Sequence, residues 1–322
     1  MKVAQLSFRC LAHSLTQTMK ITGTFLDEIT HDIPANNWGR EQWREDFRLM
    51  RAIGIDTVIL IRSGCGRIAA YPSQVLNREV GIYPVYEDLV DLFLTLAEEQ
   101  GMAFYFGTYD SVTYAPVERT VDEHLGLGRA CIDEAWQKYG ERAAFKGWYL
   151  TFEVARKDPT RLACLRRLGE HCKQLSPALP TMISPYIAGG KLVRDPVSLD
   201  EHYQDWDEIL TDLSGVVDIV AFQDGHVDYD VLPDFLRANS ELIRQHGMRD
   251  WSNVESFDRD MPIDFPPIDW RKLWWKMQAA EEAGVEKLIT FEFSHFMSPQ
   301  SAWPAAKNLF QRYCRHFGIE VT

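Results

Sequence analysis

Two glutamates, Glu153 and Glu255, lie near the ends of short runs of aromatic, aliphatic and β-branched residues. A carboxylate at the end of such an apolar strand is costly to remove from water unless it is paired, hydrogen-bonded or protonated. Glycosidic bond cleavage uses two such groups: one protonates the leaving oxygen, while the other, ionised, attacks the anomeric carbon or activates water. The pattern therefore predicts a glycoside hydrolase in which two carboxyl groups at the strand ends carry out the chemistry, with Glu153 and Glu255 among the candidates.

Further polar side chains lie near the ends of the other runs, and we expect them to bind sugar hydroxyls or to tune the two acids. They are Glu28, Arg62, Tyr109, Tyr186, Asp224, Asn253, Glu292 and His295. For any single acid, a structural role such as capping a loop amide or pairing with an arginine is an equally good interpretation. Several acids around one rim favour a substrate site.

The runs that carry these residues recur along the whole chain, about 38 residues apart, which is the length of one βα unit. They cover residues 21–29, 57–62, 103–109, 147–154, 180–187, 218–225, 249–257 and 286–296. Stretches with helical periodicity separate them, and no Gly-x-Gly-x-x-Gly follows the first run. This alternation predicts an α/β fold, a single-domain (β/α)8 TIM barrel over residues 19–322, with residues 1–18 as an N-terminal appendage and Met19 as an alternative start.

Alternation within each run predicts which side chains face the barrel interior, since residues two apart share a face. The expected inward sets are Tyr149, Thr151 and Glu153; Asn253 and Glu255; Thr290, Glu292 and Ser294; and Thr22, Thr24 and Glu28. In the sixth run either Gln223 or Asp224 could face inward. Because parallel strands of a barrel end on one side, these residues should meet there.

Helix boundaries and loops follow from local signals. Asn37 is a candidate N-cap for a helix that stops at Gly54, and residues 87–100 and 269–283 read as helices that stop at Gly101 and Gly284. The proline-rich loop 258–270 should wall one side of a cleft, and the loop 188–206 is a candidate lid.

Composition narrows the class of protein. The chain has 322 residues, 46% of them hydrophobic, and a net charge of −13, which disfavours nucleic acid and anionic membrane surfaces as partners. The six cysteines are widely spaced and read as reduced thiols, and no stretch approaches about 18 uninterrupted apolar residues. We expect a cytoplasmic enzyme with a carbohydrate substrate; the sequence does not indicate an oligomeric state.

Two other functions compete with glycoside hydrolysis. His226 and Asp228, which follow Gln223 and Asp224, could hold a divalent cation together with Glu153 and Glu292, as in metal-dependent sugar isomerases and epimerases. A carbohydrate-binding barrel without catalysis would also use such a rim. The favoured mechanism needs neither a metal nor another cofactor.

The segment 21–64, with its GTFLDE strand, NNW helix start and GIDTV entry to the second strand, resembles a bacterial TIM-barrel family of unassigned activity that is grouped with glycoside hydrolases. The resemblance extends over about residues 21–315. The wider layout is similar to the glycosidase clan with its acid/base at the end of strand four and its nucleophile at the end of strand seven, the places of Glu153 and Glu255. This resemblance implies that Glu153 is the acid/base and that Glu255 is the nucleophile or general base. Phe152 stands where that clan usually has asparagine, so Glu28, Asp224 and Glu292 remain competitors for the catalytic roles.

Overall fold

Eight parallel strands close into a barrel in the computed structural model, which describes residues 19–29, 33–113, 118–263 and 265–321. The strands are β1 (Ile21–Leu26), β2 (Thr57–Leu60), β3 (Ala103–Gly107), β4 (Phe145–Tyr149), β5 (Thr181–Ile183), β6 (Ile219–Gln223), β7 (Arg249–Asn253) and β8 (Lys287–Thr290). Each strand pairs with its neighbours in chain order, and β8 pairs with β1. Every predicted run overlaps one strand of the barrel, so the predicted (β/α)8 barrel is confirmed. Residues 1–18 lie outside the described residues.

The barrel interior is filled by side chains that alternate along the strands. Phe25, Tyr149, Trp251 and Ile289 belong to one buried cluster inside the barrel, whereas Trp148 belongs to the larger cluster between strands and helices. This division confirms the inward set predicted for β4. Such a filled interior leaves space for a ligand at the strand ends and in the loops that follow them.

Ten helices lie in the described part of the chain. They are α1 (Arg40–Ile53), α2 (Gln74–Glu79), α3 (Leu89–Gln100), α4 (Val121–Tyr139), α5 (Pro159–Leu175), α6 (Leu199–Leu213), α7 (Leu232–Gln245), α8 (Trp270–Ala283), α9 (Phe293–Phe296) and α10 (Pro304–Phe317). Amphipathic helices such as α1 bury one face against the strands. Among the described residues, no helix is long and apolar enough to cross a membrane.

Three helices stop where glycine predicts it. Gly54, Gly101 and Gly284 all adopt the left-handed conformation that ends α1, α3 and α8. The predicted N-cap of α1 is wrong: the helix begins at Arg40 after Gly39, while Asn37 itself has a φ of 54°. Glycine suffices there because the side chain of Gln42 reaches back to the Gly39 N–H at 3.1 Å.

A small three-stranded sheet stands beyond the ends of β2 and β3. It joins Gly64–Cys65 to Ile68–Ala69 and to Tyr109–Asp110. The hydroxyl of Tyr109 donates to the carbonyl of Gly66 at 2.8 Å, so the tyrosine side chain packs within this sheet. The pairing of Cys65 with Asp110 places the Asp110 carboxylate next to the barrel mouth.

Candidate active site

A cavity of about 290 Å³ opens at the C-terminal end of the barrel. Each of the eight strands, or the segment that follows it, contributes at least one lining residue. Five of the residues predicted from the sequence line this cavity: Arg62, Glu153, Tyr186, Asn253 and Glu255. Residues distant in the sequence therefore meet at one mouth, as parallel strands require.

Glu153 lies in the cavity wall after β4. Its Oε1 accepts a hydrogen bond of 2.9 Å from Nε2 of Gln223, which is the residue of β6 that faces the cavity. Burial raises the pKa of Glu153, and it outweighs the opposing effects of the Arg62 cation and the Gln223 amide. A carboxyl group with a raised pKa can carry a proton at neutral pH and can donate it.

Glu255 lies in the cavity wall after β7 and is almost completely buried. Arg259 donates a hydrogen bond to each oxygen of the Glu255 carboxylate: Nε donates to Oε2 at 2.8 Å, and Nη2 donates to Oε1 at 2.7 Å. Burial alone would raise the pKa of Glu255, but the charge and hydrogen bonds of Arg259 outweigh it and hold the pKa at about 2. Glu255 is therefore ionised throughout the physiological pH range.

Asp224 does not line this cavity. Its Oδ1 accepts a 2.6 Å contact from the buried Lys276 ammonium and a 3.0 Å hydrogen bond from the backbone N–H of Glu255. Lys276 also donates to the carbonyl of Glu255 at 2.8 Å. Asp224 thus holds the backbone of Glu255 from outside the cavity lining, and Gln223 is the inward residue of the sixth run.

The inward set predicted for β1 is wrong. Phe25 and Asp27 line the cavity, whereas Thr24 lies on the other face of the strand, where its hydroxyl accepts a hydrogen bond from the backbone N–H of Phe293 at 2.9 Å. Glu28 follows on that outer side, and burial raises its pKa to about 7. The adjacent Asp27 is the acid that β1 supplies to the cavity.

The inward set predicted for β8 is also wrong, because Thr290, Glu292 and Ser294 do not line the cavity. Phe291 lines the cavity, while the carboxylate of Glu292 caps α9, accepting the backbone N–H of Ser294 at 3.0 Å. The same carboxylate pairs with Nδ1 of His295 at 2.5 Å, and Nε2 of His295 donates to the carbonyl of Pro34 at 2.9 Å. Burial alone would lower the pKa of His295, but the Glu292 carboxylate outweighs it and raises the pKa to about 9. Glu292 and His295 form a buried pair behind the cavity wall.

Several lining residues were not predicted as site residues from the sequence. Asp27, Asp110, Arg161 and Arg259 all line the cavity, and Arg259 comes from the predicted wall, loop 258–270. Phe265 of the same loop also lines the cavity, so the loop lies at the wall where the sequence predicts it. The one signal for Arg259 was its spacing of four residues from Glu255.

Buried polar atoms without a hydrogen-bond partner among the described residues mark where a ligand would bind. They include Nε of Arg62, Nδ1 of His226 and Oδ1 of Asn253, and all three residues line the cavity. Such atoms are costly in a dry interior and are normally satisfied by a ligand or water. Nη1 of Arg62 lies 3.6 Å from Oδ2 of Asp110, so the charge of this acid orients the guanidinium group. Nε of Arg62 still has a hydrogen bond to donate.

A divalent cation would need acids that the structure separates. Glu292 caps α9 and Asp224 pairs with Lys276, so neither lines the cavity with Glu153 and His226. Within the described ranges, no three His, Cys, Asp or Glu side chains are grouped so that they could hold a metal ion.

The fold is that of glycoside hydrolase TIM barrels. An intracellular xylanase from Thermoanaerobacterium saccharolyticum superposes with a TM-score of 0.53 at 12% identity over 86% of each chain. A hyperthermostable endo-1,4-β-D-mannanase from Thermotoga petrophila superposes with a TM-score of 0.54 at 10% identity, over 92% of this chain and 99% of the other. At these identities the likeness concerns the fold alone.

The chain belongs to the family DUF4434, a domain of unknown function, whose pattern matches residues 21–303. A Bacteroides thetaiotaomicron protein, provisionally called an α-L-fucosidase, is 48% identical over 94% of this chain and 96% of its own, with a TM-score of 0.90. Comparison with curated proteins found no match. The predicted resemblance to a TIM-barrel family of unassigned activity is thereby confirmed.

Proposed function

We propose that this protein is a retaining glycoside hydrolase in which Glu153 is the acid/base and Glu255 is the nucleophile. One observation carries the proposal: two glutamates line one cavity, and their surroundings move their pKa values in opposite directions. Cleavage of a glycosidic bond needs one carboxyl group that is protonated and one that is ionised. The likeness to glycoside hydrolase barrels supports the same class.

The low pKa of Glu255 distinguishes its two candidate roles. A general base works best when its pKa is near the operating pH, so a group with a pKa of about 2 is a poor base for water. An ionised carboxylate can still form a bond to the anomeric carbon, and a weakly basic one leaves readily in the second step. This argument favours the nucleophile, and hence retention of anomeric configuration.

In the first step, Glu153 donates its proton to the glycosidic oxygen as the bond to the anomeric carbon breaks, and a Glu255 oxygen bonds to that carbon. In the second step, the ionised Glu153 takes a proton from water, whose oxygen displaces Glu255. Arg62, Asn253 and His226 supply unsatisfied polar atoms for sugar hydroxyls. Aromatic side chains such as Tyr186 supply apolar surface for the sugar ring.

Aryl glycosides with different leaving groups test the proposal, and the provisional name of the Bacteroides relative makes α-L-fucosides the first sugar to include. Glu255→Gln should abolish turnover of all of them. Glu153→Gln should lose about 10²–10⁴-fold in kcat/KM on phenyl glycosides. It should lose much less on 4-nitrophenyl glycosides, because nitrophenolate leaves without a proton.

Glu28→Gln is the matched control, since this partly buried acid lies outside the cavity and its pKa of about 7 already favours the neutral form at mildly acidic pH. It should retain near wild-type activity. Turnover that a chelator abolishes would favour the metal-dependent isomerase or epimerase. Sugar binding that persists in all variants without any turnover would favour a binding barrel.

A further inference from the structure

Arg259 connects Glu255 to the wall of the cavity. Its guanidinium group donates two parallel hydrogen bonds, one to each oxygen of the Glu255 carboxylate, at 2.8 Å and 2.7 Å. This two-pronged geometry fixes the plane of a carboxylate as well as its charge. We infer that Arg259 is a positioning residue that keeps Glu255 ionised and directs its carboxylate into the cavity; the inference rests on the proposed function of Glu255.

Two aromatic rings hold the guanidinium group itself. The Arg259 guanidinium carbon lies 4.6 Å from the ring centre of Phe257 and 5.4 Å from that of Phe265. The two rings contact each other edge to face with centres 4.7 Å apart. Phe265 has a φ of 45°, a left-handed conformation that is unfavourable for a residue with a Cβ. The loop thus accepts local strain where it supports the arginine.

The backbone of Gly225 packs against the ion pair between Glu255 and Arg259. A Cβ atom at this position would lie 1.6 Å from Oε2 of Glu255 and 2.8 Å from Nε of Arg259. The backbone after β6 therefore packs directly against the carboxylate, and only glycine fits there without displacing it. The carboxylate of Glu255 is thus held in place by Arg259 and by the backbone of Gly225, while Phe257 and Phe265 hold the arginine.

The other charged groups around Glu255 do not replace Arg259. Lys276 pairs with Asp224 and donates to the Glu255 carbonyl, so its charge is already engaged. Burial lowers the pKa of His226 to about 4, which leaves this neighbour neutral at physiological pH.

Two further groups lie at the edge of this environment. Lys191 pairs with Asp260 at 2.8 Å, and Tyr229 packs against the same lysine. Among the described residues, Arg259 is thus the cation that binds the Glu255 carboxylate oxygens directly. Without it, burial dominates, and the pKa of Glu255 should rise above its ordinary value.

The test compares Arg259→Gln with Arg259→Lys in the pH dependence of kcat/KM. In the wild type, the acid limb should lie below the range in which the protein stays folded. Arg259→Gln should move that limb upward by roughly 3 pH units or more, to above the ordinary value of a glutamate, because the ionised form of Glu255 loses its counter-charge while its burial remains. Arg259→Lys keeps a charge but not the planar fork, so it should lower kcat while the acid limb moves less. An equal loss of activity at every pH in Arg259→Gln, with the acid limb unmoved, would overturn the inference.

A measurement that does not need turnover separates this inference from the proposed function. The thermal midpoints of the wild type, Glu255→Gln, Arg259→Gln and the double variant form a cycle at pH 7 and at pH 4.5. Arg259→Gln should be more destabilising at pH 7, where Glu255 would be a buried uncompensated anion, and the double variant should recover part of that loss. If no glycoside is cleaved but this coupling is present, the proposed function fails, whereas the inference that Arg259 keeps Glu255 ionised and in place is upheld. If the four midpoints are additive at both pH values, that inference is wrong.

Discussion

The side-chain amide of Gln223 donates a hydrogen bond of 2.9 Å to Oε1 of Glu153 and a second of 2.9 Å to the carbonyl of Ser184. One residue thereby ties the end of β6 to the segments after β4 and β5. Because an amide N–H favours the ionised form of its acceptor, Gln223 lowers the pKa of Glu153 against the raising effect of burial. Gln223 and Glu153 are thus coupled in both geometry and protonation.

Gln223→Leu should therefore move the basic limb of the kcat/KM profile to higher pH. The variant removes a bond that stabilises the anion, so Glu153 should keep its proton over a wider range, by roughly one pH unit. Gln245→Leu, on the exposed surface of α7, is the control and should leave the profile unchanged. A basic limb that moves downward in Gln223→Leu would show that another group controls it.

Substitution of Gly225 should separate activity from stability. Gly225→Ala places a Cβ against Glu255 and Arg259, and displacement of Glu255, the proposed nucleophile, should lower kcat by about 10²-fold. Gly126→Ala is the matched control, because nothing lies within 4 Å of its Cβ position in α4 and alanine favours helix by about 0.5–1 kcal/mol. Kinetics with urea unfolding would measure both effects. Full activity in a folded Gly225→Ala variant would contradict the close packing of Gly225 on the carboxylate.

The stereochemical outcome follows from the low pKa of Glu255. A nucleophile of low basicity should give retention, with the first-formed product having the same anomeric configuration as the substrate. Proton NMR of the reaction before mutarotation would identify that anomer. Inversion would mean that Glu255 activates water, and it would reassign this residue as a general base.

The His295–Glu292 pair should make stability depend on pH above neutrality. The folded-state pKa of His295 is about 9, above the unfolded value of about 6.5, so its contribution is fully present below pH 6.5 and is lost as pH rises through 9. The expected loss in the free energy of unfolding is roughly 3 kcal/mol. Urea unfolding at pH 6 and pH 9.5 would measure it against His295→Gln, whose smaller pH dependence serves as the reference. Equal pH dependence in both proteins would exclude a protonated His295.

The sequence by itself determined the barrel and the two central acids. Alternating strand and helix patterns are local properties, and they placed all eight strands and the helix stops at Gly54, Gly101 and Gly284. Period-two alternation also put Glu153 and Glu255 on inward faces, because the strands before them continue regularly toward the cavity.

Only the tertiary structure decided which of the other polar residues share that cavity. The face of β1 that points inward is set by the pairing of this strand with β2 and β8, and a shift of one residue would turn every side chain to the opposite face. Asp27 therefore faces the cavity, and Glu28 does not. Glu292 turns away because the chain enters α9 directly after β8. Arg259 reaches Glu255 from an irregular loop, whose path depends on packing between distant residues and leaves no periodic signal in the sequence.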